Sequence, residues 1–177
     1  RRSRPETFGA RVHRVMYSGA DYPVHHDIFE SLGSFTRLGR YLHGTALLPQ
    51  AFPEGAPNHP AYGAGHGTVA GACVTLLKAW YDCSFVFSNP LQPTADGTAL
   101  VSYSSSQPLT IAGELDKIAC NVALARNIAG VHWRSDATAS LKLGEAIALQ
   151  YLREMRSCLN EDVEFVFDDF DGQRVTV

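Results

Sequence analysis

Four cysteines in 177 residues form no CxxC pair and no close cluster with histidine, which excludes the ligand spacing of a structural zinc site. No apolar run reaches the ~18 to 20 residues of a membrane span, and the amino end lacks the basic-then-apolar order of a secretory signal. Basic charge is scarce too. Fifteen Lys and Arg against 18 Asp and Glu leave a formal net charge of -3, which argues against nucleic acid, whose binders carry a basic excess or a coherent basic face. No internal repeat is found.

With 45% apolar residues, the chain is long enough for one domain with its own core and too short for two. Arginines 1, 2, 4, 11 and 14 load the amino end, and Asp162, Glu164, Asp168, Asp169 and Asp171 the carboxyl end. Most of these read as solvated surface. The thiols are expected free and buried, Cys73 and Cys120 inside helical patterns, with Cys83 at a helix end where an oxidising compartment would allow pairing.

Pro5 at a first helical turn, followed by Phe8, Val12, Val15 and Met16, predicts a short amphipathic helix from Arg4 to about Met16. A second helix falls within Leu32 to Leu48. The Pro- and Gly-rich stretch AFPEGAPNHPAYGAG is then an ordered loop. Val69, Cys73, Leu76, Leu77 and Trp80 recur at helical spacing, which predicts a buried helix with Gly65, His66 and Gly67 at its amino end. The first N–H groups there lack internal acceptors and carry about half a positive charge, so they favour anions. Residues 82 to 108 read as a long connection with one short strand near Phe85 to Phe87. A helix marked by Ile111, Leu115, Ile118, Val122 and Ala125 delivers Arg126 near its end. Another starts near Asp136 or Ser140 and carries Leu141, Ile147, Leu152 and Met155 on one side. Alternation at Val163, Phe165 and Phe167 and the Asp171-Gly172 pair predict a terminal β-hairpin. The fold class is therefore mainly α with a small C-terminal β-hairpin.

Three separated stretches hold what a compact oxyanion needs: RRSRPETFG with Arg4, HPAYGAGH ending at His66, and RNIAGVHWRSD with Arg126, His132 and Asp136. Together they resemble the vanadium-dependent haloperoxidases, whose site is shared with acid and lipid phosphatases. The resemblance covers nearly the whole chain and is strongest over Pro57 to Ala79 and Leu109 to Ala148. It implies a helical bundle of the haloperoxidase and acid phosphatase type. The chain, residues 1–177 as a single domain, would then be the carboxyl-terminal half of that bundle.

The same resemblance implies a vanadate cofactor held by Arg4, Gly65, His66, Arg126 and His132, with His132 as the metal ligand. His66 would be the acid/base acting on peroxide, and Asp136 would hold the His132 ring so that the opposite nitrogen faces the metal. Asp136 read by itself is also a helix cap. His59, seven residues before His66, corresponds to a histidine in bromoperoxidases of this family and suggests bromide and iodide; a loop histidine capping a turn is the alternative. His13, His25, His26 and His43 match no family position.

Two departures accompany the resemblance. The lysine that opens the first segment would lie before Arg1, and Arg1 and Arg2 fall out of register with it. Ala64 stands where the family has serine, which removes a side-chain hydrogen bond of about 1.5 to 3 kcal/mol to a charged partner. The expected activity is oxidation of halide by hydrogen peroxide to hypohalous acid, which halogenates a small organic acceptor. Expected partners are an upstream segment or another chain that completes the bundle, and further copies in a homo-oligomer, with neither nucleic acid nor membrane. The alternatives are a phosphatase using His132 as nucleophile and a non-catalytic fragment or subunit that takes the lysine from a partner.

Overall fold

The computed structural model describes residues 2–30 and 35–177. Among them the order is α1 (Pro5–Ser18), α2 (Asp27–Glu30), α3 (Phe35–His43), α4 (Gly65–Trp80), β1 (Leu91–Pro93), β2 (Leu100–Ser102), α5 (Ile111–Ile128), α6 (Arg134–Cys158), β3 (Val166–Asp168) and β4 (Arg174–Thr176). The mainly helical class and the terminal hairpin are both present. Two compact units are distinguished, one of Arg1–His66 with Ala123–Ser140, the other of Gly67–Val122 with Leu141–Val177.

In the first unit, Pro5 opens α1, where its missing N–H costs no intrahelical bond, and Gly19 closes it in the left-handed region at φ 62°, its N–H returning to the Arg14 carbonyl. The helix buries Val12 and half-buries Phe8, Val15 and Met16. Gly9 is needed for close approach: a Cβ there would lie 3.0 Å from the Ala46 carbonyl oxygen. The helix foreseen within Leu32 to Leu48 is α3, and the start of that prediction lies outside the described residues. Small buried residues, Ala46, Ala61, Ala64, Ala129, Val131 and Ala137, make up much of this unit's core.

The second unit corrects the predicted buried faces. Along α4 the buried residues are Gly67, Gly71, Val74, Thr75 and Lys78, while Val69 is 63% and Trp80 80% exposed and Cys73 is exposed. The cause is backbone approach. A Cβ on Gly71 would collide with the Leu141 carbonyl, and one on Gly144 with the Thr68 carbonyl, so α4 meets α6 through its glycine side. Likewise α5 buries Ala119 and Ala123, leaving Ile118 55% exposed and Val122 exposed. Along α6 the expected face is mixed: Leu141 and Leu152 are buried and Ile147 is exposed. Cys120 is only half-buried, and all four thiols are free, Cys83 donating to the Lys78 carbonyl at 3.1 Å.

The strand foreseen at Phe85 to Phe87 is a single bridge, Val86 to Thr110. An unforeseen antiparallel hairpin, β1 with β2, follows, turning at Gly97 (φ 70°). At the carboxyl end β3 pairs antiparallel with β4 in the register Phe167 to Val175, turning at Gly172 (φ 76°). Phe167, Leu152 and Val177 form the centre of this unit's apolar cluster. No helix among the described residues is long and apolar enough to cross a membrane.

Candidate oxyanion site

The spacing of Arg126 and His132 has a local cause. Arg126 lies in the last turn of α5, and Gly130 then takes a left-handed conformation (φ 79°) in which the Val131 N–H returns to the Arg126 carbonyl at 3.2 Å. That closure ends the helix as a glycine cap does and turns His132 inward before α6 begins. A side chain at 130 would also meet the Pro49 carbonyl oxygen at 2.8 Å.

His132 is 6% exposed, and its two ring nitrogens face opposite partners. Nε2 is 2.8 Å from Nη1 of Arg4, and Nδ1 is 3.3 Å from Oδ2 of Asp136. Arginine only donates and an ionised carboxylate only accepts, so the proton sits on Nδ1 and the Nε2 lone pair faces the guanidinium. Burial lowers the pKa of this imidazole and the Arg4 charge lowers it further; Asp136 opposes, and Arg126 adds to the lowering. The neutral ring is thus the favoured form.

Asp136 is fully buried. Its Oδ2 accepts the Trp133 N–H at 3.0 Å, which caps the start of α6, so the cap role and the contact with His132 are both realised by one carboxylate. Its Oδ1 accepts from Nη1 of Arg2 at 2.9 Å. Burial would raise this carboxyl, but the Trp133 N–H, Arg2 and His132 together hold it below the ordinary value.

Arg4 is buried at the N-cap of α1. Its guanidinium reaches the Val131 carbonyl at 3.0 Å, the His59 carbonyl at 3.0 Å through Nε, and Nδ1 of the His59 ring at 3.2 Å. Desolvation lowers its pKa; Asp136 acts against that and the Arg126 charge adds to it. Arg126 therefore lies close enough to act on both Arg4 and His132, and its Nε is buried with no hydrogen-bond partner among the described residues.

Residues 59–64 run alongside. The Ala61 N–H donates to the Arg2 carbonyl at 2.9 Å, and the Ala64 N–H to Oγ of the buried Ser140 at 2.7 Å. Ser140 thus anchors the residue before α4, leaving Gly65 and His66 as its first two positions. The structure brings Arg4, His59, His132 and Asp136 into direct contact. His66 is exposed, and no hydrogen bond joins it to that cluster among the described residues. A cleft of about 870 Å³ lined by Arg2, Arg4, Glu6, Arg11, Glu54 and His59 lies on the exposed side. Nothing in the sequence marks Arg2 or Ser140 for the site: Arg2 is out of the family register, and Ser140 has no motif spacing.

The chain is mainly helical, and its buried His132 imidazole is held between the Asp136 carboxylate and the Arg4 guanidinium. The profile of the VCPO second helical-bundle domain matches residues 43–161. A vanadium-dependent bromoperoxidase of Corallina officinalis is 47% identical over 131 residues, covering 74% of this chain and 22% of the relative. One from Corallina pilulifera is 46% identical over the same shares, and one from Ascophyllum nodosum is 33% identical over 97% of this chain and 32% of the relative. The chain thus spans between about a fifth and a third of the length of these relatives. It belongs to the vanadium haloperoxidase family, in the second helical-bundle domain.

Proposed function

We propose that this chain carries vanadate-binding residues of a haloperoxidase that uses hydrogen peroxide to oxidise bromide and iodide to hypohalous acid, which halogenates small organic acceptors. The observation that supports it best is the buried Arg4, His132 and Asp136 series beside an Arg126 Nε that has no acceptor. Two guanidinium groups act on one buried imidazole, and the buried Arg126 Nε, without a hydrogen-bond partner among the described residues, calls for an acceptor. A tetrahedral oxyanion offers the missing acceptors, so the residues present fit the group.

Bound vanadate would supply a Lewis-acidic centre that activates peroxide towards halide. Nε2 of His132, which faces Arg4 here, would be the ligand, and Asp136 would keep the proton on the far nitrogen. Arg4 and Arg126 would donate to the vanadate oxygens and balance their charge, and the Gly65 N–H would add a donor at the start of α4. His66, exposed at the second position of that helix, would take and return the peroxide proton. His59, resting on Arg4, biases the site towards bromide and iodide, in keeping with relatives named bromoperoxidases. Another chain or an upstream segment supplies the lysine and the remaining helices, and copies associate through exposed apolar residues such as Trp80 and Ile118.

The test is vanadate titration of the chain together with bromination of a phenolic dye by peroxide. Both are expected, and His132→Ala abolishes both. If the chain does neither while a version extended upstream does both, it is a non-catalytic portion that needs the lysine in trans. A second reading has its own support: the neutral, oriented Nε2 is also the arrangement of a nucleophile on phosphate. Phosphate ester hydrolysis that vanadate inhibits, without halide oxidation, would select the phosphatase.

A further inference from the structure

We infer that Arg2 is a positioning residue for His132, acting through Asp136. Three donors converge on the two oxygens of the buried carboxylate: Arg2 Nη1 on Oδ1, and the Trp133 N–H and His132 Nδ1 on Oδ2. Among the described residues, Arg2 is the only arginine or lysine in ion-pair contact with it. The same Nη1 donates to Oγ of Ser135 in the first turn of α6. The backbone of Arg2 accepts the Ala61 N–H, and the neighbouring Ser3 carbonyl accepts Nε1 of Trp133 at 2.8 Å. Arg2 is therefore tied to the helix start that carries Asp136 and to the loop that leads to α4.

The consequence is directional. With Oδ1 occupied by a charge-assisted bond, the carboxylate plane is fixed and Oδ2 is left for Nδ1 of His132. Nδ1 must then be the donor, and the Nε2 lone pair faces Nη1 of Arg4. Removing Arg2 leaves Oδ1 without its charged donor, so the carboxylate turns and the imidazole, still met by Arg4 at Nε2, is held less firmly in one orientation. Lysine preserves the charge without the planar fork, and restores the arrangement only partly.

The effect on vanadate rests on the proposed function, whereas the effect on the ring does not, so the test reads both. Nitrogen NMR of the His132 ring in the full 177-residue chain, without vanadate, reports the tautomer, and vanadium NMR reports vanadate affinity. Wild type is expected to show one tautomer protonated at Nδ1. Arg2→Ala should give a mixture and about a 10- to 100-fold loss of affinity, the range for groups that orient a ligating histidine, with Arg2→Lys between the two. Asp136→Asn should show a comparable loss, and the double variant no further loss, since the two residues act as one unit. Losses that add, or a tautomer unchanged in Arg2→Ala while circular dichroism shows a folded chain, overturn the inference. A changed tautomer supports the positioning role even where the wild type binds no vanadate, and the proposed function then falls only if a version extended upstream binds none either.

Discussion

Acid acts on His132 and Asp136 in the same direction. The His132 ring stays neutral in the fold because burial, then Arg4, disfavour its cation, while the unfolded ring takes a proton near pH 6.5. The unfolded chain therefore binds more protons below that value, so this stability is complete above about pH 6.5 and is lost as pH falls towards the lower native value. Asp136, whose carboxyl is held below its usual value by donors that outweigh its burial, adds stability above about pH 3.9, lost as pH falls through the native value. Urea unfolding from pH 8 to 4 should show a decline that begins near pH 6.5, and His132→Gln should flatten its upper part. A wild-type midpoint independent of pH across that window would contradict the buried neutral ring. Arg126, His132 and Asp136 were legible because they share one stretch that runs from a helix end through a glycine turn to a helix start, and Arg4 was legible only through the family resemblance of its Arg4-Pro5 segment. Arg2 was not: its partner lies 134 positions away, and no local pattern records such a pair.

At the scale of elements, helix existence and boundaries followed closely from periodicity and breakers, with α1 opened by Pro5 and α4 starting at Gly65. The faces did not. Hydrophobic spacing marked Val69 and Trp80 for a buried helix, yet small residues of α4 pack inward because its backbone touches that of α6 there. This predicts an asymmetry between mutations on one helix. Gly144→Ala should destabilise by about 1 to 3 kcal/mol, since the added methyl meets the Thr68 carbonyl and backbone must move. Ile147→Ala, on an exposed position of the same helix, should change the midpoint little, within about 0.5 kcal/mol. Thermal unfolding compares them directly, and equal effects would show that the glycine contact is dispensable.

At the scale of the whole molecule, an ion pair ties separate parts of the second unit together. Lys78 is 1% exposed; Nζ meets Oδ1 of Asp116 at 2.5 Å and the Asp168 carbonyl at 3.0 Å, and sits 4.7 Å from the Phe170 ring centre. Burial raises the Asp116 carboxyl and Lys78 offsets this in part. Glu145, buried beside them and raised by desolvation, accepts the Phe170 N–H at 2.8 Å. The ammonium thus joins α4, α5 and the terminal hairpin. Asp116→Asn leaves a buried cation without its counter-charge and should cost about 3 to 5 kcal/mol, whereas replacing both partners by Met and Leu should recover most of the loss. Denaturant unfolding of the three chains checks this, and a neutral effect of the single change would remove the pair from the structural argument.

The amino-acid sequence by itself determined the helical class, most element boundaries, the terminal hairpin and the residue types of an oxyanion site, since these depend on short-range periodicity, caps and motif spacing. Only the tertiary structure decided which helix faces are buried, that Arg2 backs Asp136, that Ser140 anchors Ala64, and that Lys78 is a buried tie. Each of those depends on contacts between residues distant in sequence, and close approach is decided by small atoms and unpaired charge rather than by hydrophobic pattern.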